Sequence, residues 1–120
     1  MADSKDIVAL VPDLFFSTKI SDTARHLGRS VQIVRKPEVL SEAVTTHAPR
    51  LVILDLTAQV NYDALLTAIR NRDGEGPAIL AFTTHADWKQ TLPLHPLCDQ
   101  VVTKDQLTRE LPALLQKHLG

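Results

Sequence analysis

The sequence predicts an α/β fold in which a five-stranded parallel sheet lies between two layers of helices. Five short aliphatic runs recur along the 120-residue chain, and segments with helical spacing of apolar residues separate them. The run at residues 51–54 has no polar alternation, which is typical of a strand that is covered on both faces. Because strands and helices alternate, right-handed crossovers and a doubly wound sheet are expected.

Each predicted strand is a run of β-branched or aliphatic residues that ends at a polar residue or a turn signal. Pro12 stops the first run, and Asp55 stands where the central run gives out. The predicted strands cover residues 7–11, 31–34, 50–56, 78–82 and 100–104.

Prolines and glycines mark the ends of the predicted helices. Gly28 stands where a left-handed residue would end the first helix, and Pro37 suits the first position of the second. Pro93 and Pro96 allow only a short helix before the fifth strand, followed by irregular chain, and Pro112 predicts a late start or a kink in the last helix. The predicted helices cover residues 14–27, 37–48, 62–69, 86–91 and 107–118.

The composition fits one globular domain and argues against several classes of function. A hydrophobic fraction of 44% suits an aliphatic core, and the length predicts a single domain over residues 1–120 without an output domain. The formal charge of −1, with scattered Lys and Arg, argues against nucleic-acid binding. A polar N-terminus and no long apolar run predict neither a signal peptide nor a membrane anchor, so a cytoplasmic location is expected. Cys98 and the scattered histidines are expected to have no chemical role.

Four polar residues stand at the carboxyl ends of predicted strands: Asp13, Asp55, Thr83 and Lys104. These ends converge on one edge of a doubly wound sheet, where such folds place their sites. A carboxylate there can accept a phosphoryl group, a second can help to hold Mg²⁺, and a hydroxyl and an ammonium can bind phosphoryl oxygens. Ordinary structural roles remain open for each, among them an N-cap for Asp13 and a loop cap for Asp55, and Thr84 could replace Thr83.

The order of elements and these four positions resemble the receiver domains of bacterial two-component response regulators, over nearly the whole chain. The resemblance implies a flavodoxin-like sheet with strand order 2-1-3-4-5 and helices on both faces. It also implies that Asp55 is the phosphoacceptor, that Thr83 and Lys104 contact the phosphoryl group, and that Asp13 and Asp55 hold Mg²⁺. The implied partner is a protein, either a histidine kinase or a downstream regulator, with no nucleic acid and no membrane, while homodimer formation stays open.

The sequence also departs from the receiver pattern. Pro12 stands where the first acid of a pair is expected, which predicts a weak Mg²⁺ site. The loop after Asp55 lacks the usual Met-Pro and Asp-Gly signature. Lys104 precedes Asp105 and not proline, so the peptide between them should be trans.

Two functions therefore compete. The first is an atypical receiver, not an enzyme, that acts mainly through protein contact with weak or absent phosphorylation of Asp55. The second is an ordinary receiver that a histidine kinase phosphorylates on Asp55. An enzyme or flavin carrier on the same fold is disfavoured, because the loop after the first strand has no glycine-rich phosphate cradle.

The segment between the fourth and fifth strands is a candidate contact face. The prolines prevent a full regular helix there, on the side of the fold that receivers commonly use for signalling. Its apolar residues either cover the core or form an exposed patch for a partner. These residues are Trp88, Leu92, Leu94 and Leu97.

Overall fold

Strands and helices alternate along the chain and build one sheet with helices on both sides. The computed structural model describes residues 5–58, 60–70 and 76–119. The strands are β1 (Ile7–Leu10), β2 (Val31–Val34), β3 (Leu51–Asp55), β4 (Ala78–Thr83) and β5 (Gln100–Thr103). The helices are α1 (Leu14–His26), α2 (Pro37–His47), α3 (Tyr62–Arg70), α4 (Trp88–Thr91), which continues into a 3₁₀ helix (Leu92–Leu97), and α5 (Lys104–Leu119).

The five strands form a parallel sheet in the order β2-β1-β3-β4-β5, as predicted. β1 and β3 lie inside the sheet, and every residue of both strands is buried. β3 pairs with β4 so that Asp55 is in register with Phe82. β4 pairs with β5 so that Thr83 is in register with Thr103.

Alternate residues of the central strands point to opposite faces of the sheet, so the core has two halves. Val52 and Leu54 pack with residues of α2 and α3. Ile53 and Phe82 pack with residues of α1 and α5 on the other face. The same alternation assigns Asp55 to the α1–α5 side, next to Phe82.

Local signals account for several helix ends. Gly28 has φ of 74° and donates its backbone N–H to the carbonyl oxygen of Arg25, which confirms the predicted left-handed end of α1. α2 begins at Pro37, also as predicted. α2 ends at the left-handed residue Ala48, with φ of 45°, a conformation that is costly for a residue with a Cβ atom.

The prolines shape the last third of the chain. Glu110 leaves helical geometry two residues before Pro112, so the predicted kink in α5 is confirmed. The chain after Thr91 is a 3₁₀ helix, and the expectation of irregular chain was wrong, because this tighter helix accommodates Pro93 and Pro96.

Two further predictions concern the backbone at Lys104 and the membrane. Lys104 is the first residue of α5, not the last of a strand, because β5 already ends at Thr103. The described residues contain no cis peptide bond, so the predicted trans peptide between Lys104 and Asp105 is confirmed. Among the described segments, no helix has the length and apolar character needed to cross a membrane.

Candidate functional site

Asp55 is held by its own loop at the end of β3. Its side chain is buried, with only 4% of the residue exposed. The backbone N–H and the hydroxyl of Thr57 both donate to Asp55 Oδ1, at 2.8 Å and 2.5 Å. Because the burial of a carboxylate is costly without donors, these two bonds offset part of the cost of burying Asp55.

Tyr62 holds the same loop from the start of α3. Its hydroxyl lies 2.6 Å from the carbonyl oxygens of both Asp55 and Ala58, and its single proton is shared between them. Burial raises the pKa of Tyr62 above its ordinary value, and the nearby charge of Asp55 raises it further. The phenol therefore stays a hydrogen-bond donor at all ordinary pH values.

Asp13 caps α1. It lies at the N-cap position, it is exposed, and its Oδ1 accepts a bond of 3.1 Å from the backbone N–H of Phe16. Within the part of the chain that is described, no group of three or more His, Cys, Asp or Glu residues could hold a metal ion. The predicted metal ligands Asp13 and Asp55 thus each have a structural task of their own.

Phe82, and not Thr83, is the residue of β4 in register with Asp55. By strand alternation Thr83 points to the opposite face of the sheet. Thr83 is completely buried, and its hydroxyl has no hydrogen-bond partner among the described residues. The neighbouring Thr84 is engaged elsewhere, since its hydroxyl donates to Asp87 Oδ2 at 2.9 Å.

Lys104 packs on an aromatic ring. Its ammonium nitrogen lies 5.1 Å from the ring centroid of Phe16, within the range of a cation–π contact. The Phe16 ring in turn lies 5.7 Å from the ring of Phe82. No ion pair joins Lys104 to Asp55 in the described structure. Lys104, Phe16 and Phe82 therefore form a stack, and Phe82 is in register with Asp55.

The candidate contact face is only partly exposed. Leu94 and Leu97 are partly buried against the core half that faces α2 and α3. The ring of Trp88 lies edge-on to that of His95, with 4.8 Å between their centroids. Leu92 is 48% exposed. The segment therefore packs Leu94 and Leu97 against the core and exposes Leu92 to solvent.

Sequence reasoning missed two exposed apolar residues at the start of α1. Leu14 and Phe15 are 69% and 65% exposed, whereas Phe16, which follows them, is half-buried. The signal was present in the sequence, because three consecutive apolar residues in a helix cannot all face the core.

Comparison with known proteins supports the fold. No protein-family model matches the sequence, and no curated protein matches it. Solved structures do match. The receiver domain of a response regulator from Bermanella marisrubri has a TM-score of 0.82 at 18% identity, over 98% of this chain and 100% of that one. The receiver domain of the sensor histidine kinase PA1611 from Pseudomonas aeruginosa PAO1, with a magnesium ion in its active-site cleft, has a TM-score of 0.79 at 20% identity, over 98% of each chain.

NtrX from Brucella abortus also matches, with a TM-score of 0.79 at 17% identity over 97% of this chain. This chain spans only 27% of the length of that NtrX structure. The predicted resemblance to receiver domains is thus confirmed at the level of the fold.

Proposed function

We propose that this chain is a receiver-like module of two-component-type signalling that acts mainly by binding a protein partner, with Asp55 a poor phosphoacceptor. The observation that carries the proposal is the enclosure of Asp55. The Asp55 residue is 4% exposed, its Oδ1 accepts two bonds from Thr57, and Phe82 is in register with it. A phosphodonor needs an open, in-line approach to a carboxylate oxygen, and the two bonds from Thr57 already occupy Oδ1 of Asp55.

The metal site is the second support. Mg²⁺ prefers near-octahedral oxygen ligands, and one or two carboxylates can be enough when water and phosphate oxygens complete the shell. Asp13 and Asp55 are the residues that would hold it, and the ion would neutralise charge on the transferred group. Since Asp13 caps α1 and Pro12 supplies no carboxylate, the donor set fits a weak site.

The lysine is the third support. Phosphoryl transfer needs positive charge near the equatorial oxygens of the group. Lys104 instead rests on the ring of Phe16, and reaching a phosphoryl group on Asp55 would break that contact. Every 1.4 kcal/mol lost in this way slows the reaction about tenfold.

The test is a direct attempt to modify Asp55. The protein is incubated with acetyl phosphate or with beryllofluoride across a Mg²⁺ titration, and intact mass and amide NMR shifts are recorded, with Asp55→Asn as the control. We expect little modification at millimolar Mg²⁺. Stoichiometric modification that depends on Asp55 would overturn the proposal and favour an ordinary receiver, which a histidine kinase would phosphorylate.

One observation favours that second function. The buried hydroxyl of Thr83 has no partner among the described residues, and a buried unpaired hydroxyl costs about 1–3 kcal/mol. A local rearrangement at the end of β4 that brought Thr83 to a phosphoryl oxygen would satisfy it. Thr83→Val separates the two functions, because it should leave the interaction module folded and unchanged but abolish the NMR response of an ordinary receiver.

A further inference from the structure

The outer face of α1 carries two exposed apolar residues at its start, Leu14 and Phe15, followed by polar and charged residues. Leu14 and Phe15 are more exposed there than Leu92 on the candidate contact face. The space along this face, about 670 Å³, is open to solvent and is lined only by residues of α1. Exposed apolar residues that lie next to each other mark contact surfaces more often than single ones do.

A stripe of four residues along this face has the spacing of a helix-pairing seam. Phe15, Lys19, Asp22 and His26 follow one another at intervals of four, three and four residues, so they lie on one side of the helix. When two such stripes run in opposite directions, each residue of one faces a residue of the other that can pair with it. An aromatic ring stands at each end of the stripe, and opposite charges stand in the middle.

We propose that α1 pairs with α1 of a second copy of the chain, antiparallel and about a two-fold axis. Such a dimer uses the same patch on both subunits. Phe15 then faces the partner's His26, and Lys19 faces the partner's Asp22, each twice by symmetry. Leu14 lies beside the seam and loses solvent exposure. The dimer rests on the proposed function of a partner-binding module, and the partner it names is a second copy of the chain.

Two side chains of the seam, Asp22 and His26, make hydrogen bonds within the single chain. Nδ1 of His26 donates to the carbonyl oxygen of Asp22 at 2.7 Å. Arg25 donates to Asp22 Oδ1 at 2.6 Å, which leaves lone pairs on that carboxylate for the partner's Lys19. Ordering before association lowers the entropy cost of binding.

The expected association is weak and sensitive to salt. A helix of the length of α1 is about 20 Å long, and one such helix pair buries less than the roughly 1,200 Å² of a stable interface. Exposed ion pairs are screened by added salt. The dimer should therefore form at high protein concentration and dissociate as salt is raised.

Charge reversal with sedimentation equilibrium tests this dimer, at low salt and from micromolar to millimolar protein. Lys19→Asp and Asp22→Lys each place like charges opposite each other, and each should weaken association about tenfold or more. The double variant restores opposite charges and should recover it. Leu92→Ser, on another exposed apolar residue, is the matched control and should leave association unchanged.

Three results would overturn the dimer. These are a chain that stays monomeric at every concentration, a double variant that is as weak as the single ones, or loss of association in Leu92→Ser. Circular dichroism of each variant confirms that it is folded. The measurement uses no Mg²⁺ and no phosphodonor, so its failure is distinct from phosphorylation of Asp55, which alone would overturn the proposed function.

Discussion

The carboxyl end of β3, around Asp55, and the outer face of α1 differ in how far their side chains already have partners. At the Asp55 end of the sheet, the carboxylate and the phenol of Tyr62 have partners from the same chain. On the outer face of α1, large apolar side chains such as Phe15 lie in solvent without cover. Chemistry needs groups that are free to change partners, and binding needs surface that is free to be buried. The proposed binding surface therefore lies on a helix, away from the strand ends.

Tyr62 is the residue whose removal should most destabilise the loop around Asp55. Tyr62→Ala loses a buried ring and two hydrogen bonds and should lower the free energy of unfolding by about 3–5 kcal/mol. Tyr62→Phe keeps the ring and should lower it by only about 1 kcal/mol. Urea unfolding measures both values. Equal losses would mean that the hydroxyl, and not the ring, holds the loop.

Alkaline titration examines the same phenol. Tyr62 is the only tyrosine of the chain, so tyrosinate absorbance reports on it alone. Its pKa is raised on folding, so its contribution to stability is complete below pH 10.0, the ordinary pKa, and is lost as pH rises further. We expect tyrosinate to appear well above its ordinary pKa or only on unfolding. Titration near the ordinary value would show that the phenol is free of the loop.

Thr57 tests the enclosure of Asp55 directly. Thr57→Val removes the hydroxyl donor to a buried carboxylate and should cost about 1.5–3 kcal/mol of unfolding free energy, whereas Thr57→Ser keeps the donor and should cost less than 1. The same pair of variants is then treated with beryllofluoride. If Thr57 encloses Asp55, the valine variant should respond more than the serine variant.

Pro12→Asp adds a carboxylate next to Asp13, one of the two proposed metal ligands. We expect tighter Mg²⁺ binding and about tenfold faster modification of Asp55 by acetyl phosphate, equivalent to 1.4 kcal/mol. Pro12→Ala is the control for loss of the proline ring. If both variants behave like the original chain, the metal site is not what restrains the reaction, and the Phe16–Phe82 stack becomes the explanation.

Features governed by local chemistry were predictable from the sequence. The strand runs, Pro37 at the start of α2, the left-handed Gly28 and the kink before Pro112 all follow from backbone preferences within a few residues. The resemblance to receivers also supplied the strand order. The end of the aliphatic run also predicted correctly that Asp55 lies at the end of β3.

The site depended on tertiary detail that no spacing reveals. That Phe82 stands opposite Asp55 is set by strand register, and a shift of one residue moves a side chain to the other face. The bond from Tyr62 to the Asp55 carbonyl joins residues seven apart through a loop without a regular pattern. Lys104 could not be placed on Phe16 without knowing how α1 and α5 pack.

Substitution of Phe15, on the exposed outer face of α1, should have the smallest effect on folding. Because its side chain is 65% exposed, Phe15→Ser removes little buried surface, and the free energy of unfolding should change by less than about 0.5 kcal/mol. Self-association should nevertheless fall, since the ring is an end of the α1 seam. Thermal unfolding at low protein concentration gives the first quantity and sedimentation gives the second. A large loss of stability in the monomer would show that Phe15 supports the fold, and the contrast between a closed Asp55 end and an open α1 face would no longer hold.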